Sequence, residues 1–313
     1  MRLKPSNGAI AGGLAMAVFL WGANNAGVKY LVRFWPPIAT GSSRFLLAGL
    51  LMLALLRWTT LFGARKKQHP ADLEQALWWR GGLSLAVYIG AFNWAVKLTE
   101  LSHVALYLGA APVWALLWEG RPPISWKSAQ RYGAAALAFC GVLVLFLPML
   151  RNAHAGSILG ELIGMSCGVL WTNYGTQCRI LGQRLSGAEV TAHTFVRGGL
   201  LLAPVGAIEL ATGGVFHWRL NLVLIQLFCI VAGSVVAFAF WNSGLRHWKT
   251  SQVFQFNNLI PLSNMAWADV CLGEQITATF WIAMLLIAAG VFAGHTNWRR
   301  VDNATETLKS PAQ

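Results

Sequence analysis

The sequence predicts an all-α integral membrane protein with ten transmembrane helices, arranged as two inverted five-helix repeats with both termini in the cytoplasm. Three observations predict this fold: the composition, ten apolar runs and an internal similarity. Of 313 residues, 56% are hydrophobic and 11% are charged, whereas a soluble domain carries about 25% charged residues. So few charges cannot cover a water-exposed surface. The composition therefore excludes a disordered chain, a secreted disulfide scaffold and an ordinary cytosolic enzyme.

Ten apolar runs approach the length of about 20 residues that a helix needs to cross a bilayer. The runs lie at 8–31, 37–56, 81–98, 102–118, 132–150, 157–178, 188–209, 222–245, 251–272 and 277–296. Helices are expected because lipid offers no hydrogen bonds to an open backbone. The polar segment 299–313 is predicted to be a flexible cytoplasmic tail.

The basic residues indicate the orientation of these spans. With both termini in the cytoplasm, 17 of the 24 Lys and Arg residues lie on the cytoplasmic side and five lie outside, as the positive-inside rule requires. This distribution also accounts for the net charge of +13 without a nucleic-acid partner. The five cysteines lie in apolar runs without CxxC or Cys/His spacing, so we expect no disulfide, metal or cofactor. Membrane lipid and a small-molecule substrate are the expected partners, and the chain is expected to act as a monomer.

The two halves of the sequence resemble each other. At an offset of 149 residues, Asn93 falls on Asn242 and Pro112 falls on Pro261. Further matches join Trp21 to Trp171 at an offset of 150, and Arg44 to Arg197 at an offset of 153. The predicted repeats are residues 1–150 and 156–298. Because each repeat has an odd number of spans, the second must cross the membrane upside down, which is typical of secondary transporters.

Several short motifs resemble the EamA-type members of the drug/metabolite transporter superfamily. These are Trp21-Gly22-Ala23-Asn24, Arg44-Phe45, Pro112, Gly141-Val142, and Pro261 followed by Leu272-Gly273-Glu274. The resemblance covers about 1–150 and 156–298, and its best described branch is the YddG-type exporters of aromatic and hydrophobic amino acids. It implies a transporter of the cytoplasmic (inner) membrane, of the kind found in bacteria. One departure is that Pro112 lacks a following Leu-Gly-Glu sequence, since Glu119 comes sooner.

Two arginines are predicted roughly 10 and 14 Å inside their spans, at 1.5 Å per residue. Ionised Arg44 and Arg197 at such depth need a partner or water. They are interpreted as clamps on backbone carbonyls, and the alternative is attraction of an anionic substrate group. Pro112 and Pro261 each remove a helical hydrogen bond and are predicted to act as paired hinges.

Polar and aromatic side chains in the spans are expected to line a central cavity, because an amide facing lipid is unfavourable. The candidates are Trp21, Asn24, Asn25, Tyr88, Asn93, Tyr107, Trp114, Trp171, Asn173, Tyr174, Trp241, Asn242, Gln255 and Asn258. For any single residue, contact between helices is the alternative. Amides beside aromatic rings suit an amino acid better than a polyanion.

The sequence lacks HExxH, GxxxxGK[ST] and GxSxG motifs, so no enzymatic activity is expected. The predicted function is export of small metabolites, aromatic or hydrophobic amino acids or related compounds, by alternating access. The alternative is a channel-like or lipid-handling protein, such as a flippase or scramblase. The coupling ion and the direction of transport stay open.

Overall fold

The computed structural model describes residues 6–60, 69–110, 132–133, 136–137, 139–144, 155–247, 256 and 259–296. All regular structure in these residues is helical, which confirms the predicted all-α class. The helices are α1 (Asn7–Leu31), α2 (Pro37–Trp58), α3 (Ala71–Ala76), α4 (Leu83–Leu98), α5 (Leu101–Gly109), α6 (Ala155–Leu181), α7 (Gly187–Ala211), α8 (Leu220–Phe228), α9 (Ala237–His247), α10 (Ile260–Leu272) and α11 (Ala278–Thr296).

Two of these helices continue into the next through a π-helical segment. Leu77–Gly82 joins α3 to α4, and Cys229–Val236 joins α8 to α9. The third predicted span therefore belongs to a helix that begins ten residues earlier than expected, at Ala71. The early start has a sequence cause, since Asp72 and Glu74 lie in the first turn, where carboxylates interact favourably with the helix dipole.

Local sequence accounts for the ends of several helices. The Ser6 hydroxyl caps α1 by accepting a hydrogen bond from the Ala9 nitrogen at 3.2 Å. Ser186 and Glu189 form a capping box at the start of α7, in which each side chain bonds the other residue's backbone nitrogen. Gly273 ends α10 at φ 67°, a left-handed conformation that glycine adopts without a Cβ clash.

Helices α2 and α7 pack closely through glycines. A Cβ on Gly49 would lie 2.6 Å from the Val196 nitrogen, and a Cβ on Gly199 would lie 2.7 Å from the Leu46 nitrogen. In addition, the Ser42 hydroxyl donates to the Gly199 carbonyl at 2.8 Å. The two contacts are reciprocal, because 49 and 199 differ by 150, as do 46 and 196.

The remaining helices surround this pair in a matching pattern. Helix α1 packs against α9 and α10, whereas α6 packs against α4 and α5. Among the residues that the structure describes, four helical segments are long and apolar enough to cross a membrane, by length and composition: Asn7–Leu31, Pro37–Trp58, Gly187–Ala211 and Leu220–Trp241. A shorter apolar helix covers Ala278–Gly290.

Candidate functional site: a polar and aromatic region between the halves

A chain of polar side chains links α1, α2 and α10. The Arg44 guanidinium donates to the Asn24 amide oxygen at 3.3 Å. Asn24 donates to Asn25 at 3.0 Å, and Asn25 donates to Asn264 at 3.1 Å. We call these four residues the amide network. It occupies helices that the sequence predicts to span the membrane, where polar side chains must find partners.

The amide network holds more hydrogen-bond donors than it uses. Within the residues that the structure describes, Arg44 Nε and Asn264 Nδ2 are buried without a partner, as is Nε1 of nearby Trp267, one turn after Asn264. An unpaired buried donor costs about 1–3 kcal/mol. Three such donors favour a ligand that brings acceptor oxygens, such as a carboxylate.

Aromatic side chains lie beside the amide network. Tyr88 interacts electrostatically with Arg44, and its ring centroid lies 5.1 Å from that of Trp171. The Trp171 ring in turn lies 5.8 Å from Tyr174, whose hydroxyl shares a 3.0 Å hydrogen bond with Thr194. Trp171 is only partly buried, whereas Tyr88 and Tyr174 are buried.

An open groove of about 570 Å³ lies between α6 and the helix formed by Leu77–Gly82 and α4. Its polar lining is Arg80, Ser84, Asn173 and Gln177, and its apolar lining includes Trp79, Leu83, Val87 and Leu170. The lining residues do not include Tyr88, Trp171 or Tyr174. The structure therefore brings Asn24, Asn25 and Arg44 together in the amide network and Tyr88, Trp171 and Tyr174 together in the aromatic group, and it places Asn173 in the groove.

Trp21 and Trp241 lie in a separate apolar cluster. Both are buried, and their ring centroids lie 5.1 Å apart. Trp21 also meets Phe238 at 5.2 Å. The contact between Trp21 and Phe238 corresponds to the contact between Trp171 and Tyr88, because residues 21 and 171 differ by 150 positions, as do residues 88 and 238.

Two other lining candidates hold helices together. Asn93 is fully buried and donates to the Pro37 carbonyl at 2.7 Å, which ties α4 to the start of α2. Tyr107 is also buried and donates to Glu161. Both arrangements match the alternative interpretation of contact between helices.

The two arginines have different partners. Arg44 donates to an amide side chain, whereas Arg197 forms an ion pair with Glu74 on α3 and also contacts His193 at 3.0 Å. Within the described ranges, the carbonyl that is bonded is that of His193, on the same helix as Arg197. Since Glu74 neutralises Arg197, Arg44 is the better candidate for a substrate anion.

The predicted hinge residue Pro261 lies in the first turn of α10, not in the interior of a helix. Proline is well accommodated there because the first-turn N–H groups have no helical acceptor. The other hinge and three lining candidates, Pro112, Trp114, Gln255 and Asn258, lie outside the described residues, as does the side chain of Asn242.

The sequence did not predict that two carboxylates, Glu161 and Glu74, bind buried side chains. Glu161 is fully buried and bonds Thr99, His103 and Tyr107. Glu74, which pairs with Arg197, lay in a predicted loop. The i, i+4 spacing of His103 and Tyr107 was a signal that one helix face carries two hydrogen-bonding groups, whereas Thr99 precedes α5.

Comparison with known proteins identifies a family that the sequence matches. The model of the EamA-like transporter family matches residues 9–147 and 158–293. The chain belongs to the EamA-like transporter family. This membership confirms the resemblance read from the motifs and makes the protein a transporter and an integral membrane protein, consistent with the predicted inner-membrane location.

Relatives of this EamA-family chain include named transporters. A probable amino-acid metabolite efflux pump of Salmonella typhimurium is 23% identical over 290 residues, which cover 88% of this chain and 91% of the relative. The pump of the same name in Escherichia coli is 20% identical, covering 91% and 95%. An uncharacterized transporter of Archaeoglobus fulgidus is 23% identical, covering 89% and 94%. One crystal structure covers 95% of this chain and 99% of its own, with a TM-score of 0.62 and 19% identity, and shows the fold.

Proposed function

We propose that this EamA-family protein is a secondary transporter that exports amino acids with aromatic or hydrophobic side chains, or related small metabolites. One observation carries the proposal: unpaired buried donors of the amide network lie next to the aromatic group, where Trp171 is only partly buried. An amino acid presents a carboxylate and an apolar side chain, so it complements both parts of this region. The two relatives named as amino-acid metabolite efflux pumps support the same substrate class.

The network supplies the contacts for the substrate head group. Arg44 retains a free Nε–H beside its bond to Asn24, and Asn264 retains a free Nδ2–H. A carboxylate held by such charge-assisted bonds binds about twice as strongly as a neutral acceptor. The apolar part of the substrate lies against Tyr88 and Trp171, where ring contacts contribute roughly 0.5–1.5 kcal/mol beyond burial.

Alternating access follows from two inverted halves, 1–150 and 156–298, with both termini and the tail 299–313 in the cytoplasm. Three reciprocal contacts at an offset of 150 support the repeat: Gly49 with Val196 against Gly199 with Leu46, Trp21 with Phe238 against Trp171 with Tyr88, and Phe45 with Phe195. A pseudo-twofold axis through the α2–α7 contact produces such pairs. The halves then rock about this axis around one site, within a single chain acting as a monomer.

Counterflow tests the proposed function. Purified protein in liposomes preloaded with an unlabelled amino acid is given the labelled amino acid outside, across a panel of aromatic, hydrophobic, charged and small amino acids. Saturable counterflow for the aromatic or hydrophobic members is expected. Saturable counterflow for the charged members alone would overturn the proposed substrate class, and the absence of counterflow for the whole panel would overturn the amino-acid assignment.

The groove between α4 and α6 favours a second candidate, a lipid-handling or channel-like protein. The groove is open at the protein surface and combines Arg80 and Trp79 with apolar side chains. This combination suits a phospholipid headgroup and its acyl chains. The same liposomes, prepared with a fluorescent phospholipid in one leaflet, test it. Rapid loss of leaflet asymmetry, together with linear and unselective solute flux, would favour this candidate.

A further inference from the structure

We propose that Glu161 and His103 form a proton-binding site that couples transport to a proton gradient. This proposal rests on the transport function proposed above and adds the co-transported ion. It starts from Glu161, a carboxylate on α6 with no exposed surface. A carboxylate buried in a membrane protein is unfavourable unless it is paired, so its position calls for a reason.

Three side chains from the start of the fourth span converge on this carboxylate. Thr99 donates its hydroxyl hydrogen to Oε1, His103 Nδ1 lies 2.8 Å from the same oxygen, and Tyr107 donates to Oε2. His103 and Tyr107 are four residues apart on one face of α5, and Thr99 lies in the turn before this helix. Glu161 thus fastens the second half of the protein to the first through three hydrogen bonds.

A path for protons leads from solvent to the carboxylate. The side chain of Glu100 is 47% exposed, and its Oε2 lies 3.6 Å from His103 Nε2. Imidazole accepts a proton on one ring nitrogen and releases another from the second. In the proposed site, a proton taken from water by Glu100 reaches His103 Nε2 through a bridging water, because 3.6 Å is too long for a direct hydrogen bond. His103 then releases its Nδ1 proton to Glu161, and the imidazole is left neutral.

Protonation changes the contact between α5 and α6. An ionised carboxylate accepts all three hydrogen bonds, and such charge-assisted bonds are about twice as strong as neutral ones. When Glu161 gains a proton, these bonds weaken together. Tyr107 lies two residues before Gly109, where a Cβ would come 2.9 Å from the Pro261 ring, so loosening reaches the start of α10.

Other charged groups lie on the elements that pack near the pair. They are Lys29, which donates to the Thr99 carbonyl at 2.5 Å, Arg33 beside it, Lys97 over the Trp94 ring, Asp269 on α10, and Glu274, which accepts from the Leu101 and Ser102 nitrogens at 2.9 and 3.1 Å. Glu274 is bound to the backbone, and no imidazole links it to solvent among the described residues. Glu161 and His103 are the pair with both a route for protons and a contact that protonation alters.

The test uses full-length protein in liposomes with an amino acid that shows counterflow, and a pH-sensitive dye in the lumen. In the native protein, substrate efflux is expected to acidify the lumen, and an imposed pH gradient is expected to drive accumulation that a protonophore abolishes. Glu161→Gln keeps the size and loses the charge. It is expected to retain counterflow while losing gradient-driven accumulation by about tenfold or more.

Matched variants separate coupling from folding. Glu209→Gln alters another carboxylate, which accepts from the Ile38 and Ala39 nitrogens at 2.9 and 3.1 Å, and should leave proton coupling intact. Tyr107→Phe removes one donor from Glu161 but keeps the ring, so the pH profile of transport should move to higher pH.

Coupling in Glu161→Gln equal to that of the native protein would overturn the proposal, as would an unchanged pH profile in Tyr107→Phe. If native counterflow is saturable but no pH gradient drives it, the coupling proposal fails while the proposed function stands. If no amino acid shows counterflow, the function itself fails.

Discussion

The Phe45 ring on α2 meets the Phe195 ring on α7 edge-on, with centroids 4.7 Å apart and an interplanar angle of 85°. The two residues are 150 positions apart, so each half supplies the same residue type from the same place. In the proposed repeat, an offset of 150 pairs Arg44 with Thr194, whereas the offset of 153 pairs it with Arg197. The offset of 150 agrees with the different surroundings of the two arginines.

The inverted repeat predicts opposite membrane orientations for equivalent loops. In a background where the five native cysteines are replaced, Gln68→Cys is expected to react with a membrane-impermeant maleimide only from the cytoplasmic side. Arg219→Cys, between α7 and α8, is expected to react only from outside. The proposed topology would be wrong if the two cysteines were labelled from the same side.

The glycines between α2 and α7 are predicted to be required for stability. Gly49→Ala places a methyl group 2.6 Å from the Val196 nitrogen, and such overpacking costs about 1–3 kcal/mol. A lower thermal unfolding midpoint in detergent is therefore expected. Gly175→Ala on α6 is the control, since a Cβ there meets no atom within 4 Å. Equal midpoints for the two variants would show that the contact between α2 and α7 is looser than described.

The ion pair between Glu74 and Arg197 predicts a pH-dependent stability. Partial burial would raise the pKa of Glu74, but hydrogen bonds from Arg197 and His69 outweigh it and hold the pKa below its ordinary value of 4.5. Because the folded-state pKa is the lower one, this contribution is complete above pH 4.5 and is lost as the pH falls through the folded pKa. Unfolding midpoints measured along a pH series should therefore fall less steeply with acid in Glu74→Gln than in the native protein.

Asp72→Asn is the control for this experiment. Hydrogen bonding to Arg184 lowers the pKa of Asp72, yet both side chains are largely exposed, and exposed pairs contribute little. The acid dependence of Asp72→Asn should therefore follow that of the native protein. A Glu74→Gln variant with native acid dependence would show that its pair with Arg197 adds no stability.

The substrate site predicts a loss of affinity when Arg44 is changed. Arg44→Lys keeps the positive charge but removes the geometry that serves Asn24 and a carboxylate together. Since a hydrogen bond to a charged group contributes roughly 1.5–3 kcal/mol, the KM for counterflow should rise about tenfold or more. Leu285→Ala, at a side chain that is 65% exposed on α11, should leave KM unchanged. A native KM in folded Arg44→Lys would remove Arg44 from the substrate site.

Asn93→Ala is expected to act on stability and not on affinity. The amide donates to the Pro37 carbonyl, and its removal loses a buried hydrogen bond between α4 and α2, which contributes about 0.5–1.5 kcal/mol. The thermal midpoint should fall, while the folded fraction keeps the native KM. A raised KM at a native midpoint would return Asn93 to the cavity lining.

The sequence by itself determined the helical class, most span boundaries within a few residues and the family. These properties depend on composition and on local rules such as Ser6 capping α1, because an apolar run in lipid must form all its backbone hydrogen bonds within its own helix.

The tertiary structure decided which polar side chains contact each other. One residue along a helix turns the side chain by about 100°, so the adjacent amides Asn24 and Asn25 reach different neighbours, Arg44 and Asn264. Glu161 reaches His103 across 58 residues, and Arg197 reaches Glu74 across 123. Such pairings depend on how helices pack and rotate, which no local pattern encodes.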